Sequence, residues 1–116
     1  MNREMKKTSR LAAGLGVGLV LVLLTPIAAS ATTTVQLGGK SCSAATAETV
    51  HISSTSQGTI KHWHHRTGSG SSTSATFVNS SFIFRMSGMN YKSETASWIE
   101  LADGTIMTSK AIFCDN

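Results

Sequence analysis

From Leu11 to Leu24 the chain carries no charge, and this run decides how much of the sequence is left to fold. Arg3, Lys6, Lys7 and Arg10 precede it, Thr25-Pro26 ends it, and the small residues Ala29-Ser30-Ala31 follow. Charged start, short apolar run and small-x-small site are the three parts of a secretory signal. Fourteen apolar residues are short of the roughly 20 needed to span a bilayer, so an uncleaved anchor is the weaker reading. Residues 1–31 are therefore expected to be removed, and the product to be secreted, extracellular, with no membrane span after processing.

What remains, residues 32–116, is one small domain at most. It keeps Lys40, Lys61, Arg66, Arg85, Lys92 and Lys110 against Glu48, Glu94, Glu100, Asp103 and Asp115, so it is nearly neutral. A nucleic-acid partner is not expected, because phosphate recognition needs a dense basic patch. Ser and Thr supply 28 of these residues and Pro none. Such a composition borders on disorder. Trp63, Phe77, Phe82, Phe84, Tyr91, Trp98 and Phe113 recur along it and can each bury a large apolar area. Together with the Ser/Thr bias they favour strands.

The two cysteines, Cys42 and Cys114, stand near opposite ends of that stretch. In an exported chain an even count reads as a disulfide. Closing so long a loop is worth roughly 4 kcal/mol in the chain-entropy picture. Neither CxxC nor Cys-His spacing points to a redox or metal thiol.

Residues 32–41 read as a flexible leader, and the β domain as residues 42–116. Strands are expected near Glu48–Ser54, Thr59–Arg66, Ser74–Val78, Phe82–Met86, Thr95–Leu101 and Thr105–Phe113. Gln57-Gly58, Thr67–Thr73, Asn79–Ser81, Ser87–Asn90 and Asp103-Gly104 would be the turns. Asp-Gly between apolar runs is the strongest hairpin signal of these. The expected fold is all-β, a small antiparallel β-sandwich or partly open barrel of about six or seven short strands. In the last hairpin Leu101 would face Ile106, leaving Ile99, Leu101 and Ile106 on one side and Trp98 and Met107 on the other.

All four histidines lie close together: His51, His62, His64 and His65. If Gln57-Gly58 closes a two-residue hairpin, Ile52 pairs with Trp63, His51 with His64 and Ser53 with His62. Val50, Ile52 and Trp63 then form the core face, and His51, His62 and His64 share the opposite one. Three imidazoles so placed can hold Zn²⁺ or Cu²⁺. The plainer reading is an exposed polar face, pH-sensitive because imidazoles titrate near neutrality. No cofactor is otherwise expected. Neither a GxSxG motif nor paired acids occur, so the chain does not read as an enzyme.

Trp63-His64-His65, a Gly/Ser-rich turn and Ser74-Ala75-Thr76-Phe77-Val78-Asn79 resemble the aromatic-His-His…Ser-Ala-Thr-Val-Val-Asn segment of lactococcin 972 family bacteriocins. That resemblance implies a small exported β-sandwich acting on Gram-positive cells through lipid II, with Trp63, His64 and His65 as its shared residues. Where the family has Gly-Gly-x-Trp, this chain has Gly38-Gly39-Lys40-Ser41. The terminal cysteine pair resembles small exported actinobacterial proteins of unknown role. The function expected is thus non-catalytic binding or antagonism, bacteriocin-like, against a cell-envelope component or another protein. The rivals are an exported metal-binding protein and a structural or adhesive surface module. Oligomeric state is not readable.

Overall fold

Alternation of apolar and polar residues is realised in five antiparallel strands of a single sheet. The computed structural model describes residues 31–116; the expected signal, residues 1–31, falls outside them apart from its last residue. The strands are β1 (Thr32–Ser41), β2 (Thr49–His64), β3 (Thr73–Gly88), β4 (Ser93–Ala102) and β5 (Ile106–Asp115). Their order is β1-β4-β2-β3, with β5 also paired to β2. The all-β antiparallel expectation holds, but the count and several boundaries change.

Residues 32–41 are no leader. They form β1, laddered to β4 from Thr32 opposite Ala102 to Ser41 opposite Ser93. Two pairs of expected strands merge into β2 and β3, each 16 residues long. β2 is the central strand. β3 runs along one side of it, from His51 opposite Gly88 to His64 opposite Thr73. On the other side β4 takes Ile60–Trp63 and β5 takes Thr49–Gln57.

The Asp103-Gly104 hairpin is therefore absent. Leu101 lies opposite Ile60 and Ile106 opposite Gln57, so β4 and β5 follow one another along the same edge of β2. Between them Gly104 takes φ 83° and Thr105 donates its amide to the Ala102 carbonyl, 3.0 Å. The Thr105 hydroxyl completes the join: it accepts from the Thr59 amide and donates to the Thr59 carbonyl, each at 3.0 Å. A side chain thus replaces one rung of the ladder. Gly58 (φ 116°) makes room, since a Cβ there would stand 2.5 Å from Thr105 Oγ1.

Gln57-Gly58 and Asn79–Ser81 are likewise no turns. The β2–β3 register slips between Ser56 and Gly58, with Asn79 opposite Gly58 and Ile83 opposite Ser56. Buried Asn79 bridges the slip, its amide donating to the Ser56 carbonyl (3.2 Å) and hydroxyl (3.1 Å). Two expected turns therefore become one bulged stretch of the β2–β3 ladder, and Asp103-Gly104 turns the chain between β4 and β5 without closing a hairpin. Bulges sharpen bend and twist while leaving the ladder intact on either side.

Because β2 never reverses, its even residues stay on one face throughout. Val50, Ile52, Ser54, Ser56, Ile60, His62 and His64 are all buried. Ile52, Ile60, Ile99 and Leu101 form the apolar cluster, with Val35, Leu37, Phe77, Met107 and Ile112 against it. Burying a whole side chain of this size contributes about 1.5–3 kcal/mol. So small a cluster needs help, and the Cys42–Cys114 disulfide, Cα–Cα 5.7 Å across 72 positions, supplies it.

Candidate functional site

The continuous β2 turns the expected histidine face over. His62 and His64 point into the core with Ile60, while Trp63 stands on the outer face. His51, an odd position, goes outward too: it stacks on Phe113 (centroids 6.0 Å) and bonds the Thr49 carbonyl through Nδ1 (3.0 Å). The structure brings His62 and His64 together and leaves His51 apart. The expected His51/His62/His64 cluster is not formed. Among the described residues no group of three His, Cys, Asp or Glu side chains is placed to hold a metal ion.

What the inner face holds is a chain of hydrogen bonds. Ser54 Oγ meets His62 Nε2 at 2.7 Å, and His62 Nδ1 meets Ser87 Oγ at 2.8 Å. Ser87 Oγ meets His64 Nε2 at 2.7 Å, and His64 Nδ1 meets Glu94 Oε2 at 2.7 Å. Ser97 donates to the other Glu94 oxygen, 2.8 Å, and accepts the His65 amide, 3.1 Å. A carboxylate only accepts, so while both imidazoles are neutral it sets the direction of every hydrogen bond behind it. His64 donates from Nδ1, Ser87 donates to His64 and accepts from His62, and Ser54 donates to His62. Every ring nitrogen is paired, as buried polar groups require. Burial, reinforced by the neighbouring His64, pushes the His62 pKa down from 6.5 to about 4.

Glu94 reaches this chain through a bulge. Ala96 takes φ 58°, a left-handed conformation rare outside glycine. β1 and β4 slip by one residue there, between Gly38 opposite Ser97 and Lys40 opposite Glu94. Without that slip the β4 alternation that buries Ile99 and Ser97 would turn Glu94 to the surface. A bulge that re-aims one side chain is a usual companion of a special site.

Ser87, His64 and Glu94 stand in the order of a nucleophilic triad. Here the hydroxyl also accepts from His62, so it links two imidazoles. A cleft of about 180 Å³, lined by Thr32, Thr59, Ile60, Lys61, Glu100 and Ala102, shares none of these groups.

That cleft adjoins the outer face, where β2 and β4 set Trp63 opposite Trp98 and Lys61 opposite Glu100. The two indoles stack at 5.2 Å, 10° from parallel. Trp63 Nε1 donates to Glu100 Oε1 at 2.9 Å, and the Lys61 ammonium lies 5.7 Å from the Trp63 ring centre. Of the motif Trp63-His64-His65, the first residue thus faces outward and the second inward. His65 closes the strand end, with Nδ1 on Ser72 Oγ at 2.9 Å and its carbonyl accepting from Thr95.

The sequence reading missed Ser54, Ser87, Glu94 and Ser97. One signal was available: Ile60 shares parity with His62 and His64, and an apolar Ile is a safer core marker than a Trp that carries its own donor. Compared with known proteins, the chain matches no family model, no curated protein and no solved structure.

Proposed function

We propose that the protein is a small exported, non-catalytic binding protein of the bacteriocin kind, cut after its signal and acting at the bacterial cell envelope. Its working surface is the outer face around Trp63 and Trp98. The observation that carries this reading is the stacked indole pair, with Lys61 and Glu100 joining it to a cleft edged by Thr32 and Thr59. Flat aromatic surface beside an ammonium, a carboxylate and hydroxyls suits a saccharide-phosphate headgroup. Ring faces take sugar carbons, and the charged and hydroxyl groups take its polar edge. Lipid II, which the lactococcin 972 resemblance implies, has such a headgroup. The inner Ser-His-Glu chain serves stability, since each of its polar atoms is already engaged by another.

Purified mature protein should inhibit growth of Gram-positive test strains and bind vesicles carrying lipid II. Trp98→Ala should lose both while keeping the wild-type circular dichroism. Inactivity of wild type in both assays would overturn the reading. Retention on isolated cell walls without growth inhibition would place the protein with adhesive modules instead.

A further inference from the structure

His51 is the histidine that the inner hydrogen-bonded chain leaves out, and its ring is held from two sides. Nδ1 meets the Thr49 carbonyl at 3.0 Å, and Phe113, its neighbour on β5, stacks on the ring with centroids 6.0 Å apart. A carbonyl only accepts, so in the neutral ring Nδ1 carries the proton and Nε2 keeps its lone pair. Metal-binding imidazoles are oriented in this way, by a carbonyl or carboxylate on the nitrogen that does not bind.

Nε2 hangs over β3. The cross-strand partner of His51 is Gly88, and a Cβ there would stand 2.5 Å from Nε2. Glycine alone leaves the imidazole that room. Met86 comes two residues earlier on β3 and on the same outer face, opposite Ser53 and 44% exposed. Strand residues two apart are separated by about 7 Å. The methionine stem is unbranched and flexible, so its sulfur reaches back along that gap toward Nε2. Phe84, 60% exposed, is the next outward residue on β3 and makes the surroundings apolar.

We propose that His51 Nε2 and Met86 Sδ are the two ligands of a Cu⁺ site on the outer face of β2 and β3. The donor set selects the ion. Thioether sulfur suits soft Cu⁺, which two donors in line satisfy. Zn²⁺ asks for four ligands, and among the described residues no three His, Cys, Asp or Glu side chains come together to supply them. An imidazole and a thioether bring no negative charge, so a divalent ion gains little here for the water it gives up. The site is independent of the headgroup reading, because Trp63 lies at the other end of β2 and Trp98 on β4.

Anaerobic titration of the mature protein with Cu⁺ against bicinchoninate, a coloured competing chelator, tests it. Wild type should withdraw one Cu⁺ per chain, and excess Zn²⁺ should not displace it. His51→Ala and Met86→Leu should each weaken binding at least about tenfold. Gly88→Ala, which pushes the imidazole off its place, should weaken it too, with unchanged circular dichroism. Met107→Leu, a thioether packed against the core, should bind as wild type does. X-ray absorption of the loaded protein should show one nitrogen and one sulfur around copper. Wild type that takes no Cu⁺ from the chelator overturns the proposal, as does a copper shell without sulfur. Equal affinity in wild type and Met86→Leu, or equal losses in Met86→Leu and Met107→Leu, would mean adventitious copper and overturn it as well.

Discussion

Ala96 carries more of this structure than its side chain suggests. Its left-handed backbone costs an L-residue about 1–2 kcal/mol, and that strain is what turns Glu94 toward His64. Glycine accepts the same φ freely. Ala96→Gly should therefore leave the melting temperature unchanged or raise it, since relief of strain offsets the added chain entropy. Ala96→Val should lower stability by about 2 kcal/mol, because a β-branched residue tolerates that region worst. Urea denaturation of the two variants checks the order. Neither Ala96 nor the role of Glu94 was legible in the sequence. Glu94 and His64 are 30 positions apart, and a single-residue slip between strands decides whether they meet.

At the scale of elements, strand chemistry was easier to read than strand ends. Each expected strand exists, and the alternation Val50, Ile52 against His51, Ser53 is real. Apart from the strand at Thr32–Ser41, the errors lie at Gln57-Gly58 and Asn79–Ser81, where a bulge uses the same residues that turns use, and at Asp103-Gly104, a turn that closes no hairpin. Both need positive φ or a side chain that can stand in for a backbone group. A single strand cannot tell them apart, since the difference is whether a neighbour bulges at the same height. Gly58 is the most constrained of these positions, with φ 116° and Thr105 across from it. Gly58→Ala combines backbone strain with a Cβ pressed on a neighbouring strand. It should destabilise by at least about 2 kcal/mol in thermal unfolding. An unchanged melting temperature would mean that Thr105 does not bridge to Thr59 as described.

For the whole molecule, a few apolar side chains, a buried polar chain and one disulfide share the work. The disulfide was legible because exported chains with two cysteines leave one intramolecular pairing. Reducing it should cost roughly 4 kcal/mol and lower the melting temperature clearly. The polar chain makes the fold acid-sensitive. The folded pKa of His62 lies below the ordinary 6.5, at about 4. Between those values the unfolded chain takes up a proton that the folded chain refuses. This contribution is complete above pH 6.5 and falls away as pH drops toward 4, by up to about 3 kcal/mol. Urea midpoints at pH 7 and pH 4.5 check the direction, and His62→Gln should flatten the difference.

The two faces of the sheet depend on β2 running unbroken from Thr49 to His64, with His62 inside and Trp63 outside. Long-range ¹H–¹⁵N correlation of the imidazoles during an acid titration reads this most directly. The account predicts that His62 stays neutral, with the proton on Nδ1, through pH 6.5 and down to about pH 4. A His62 that titrates near pH 6.5 with averaged, solvent-exchanging nitrogens would contradict it. That result would put the ring on the surface, with the hairpin and its three-histidine face restored.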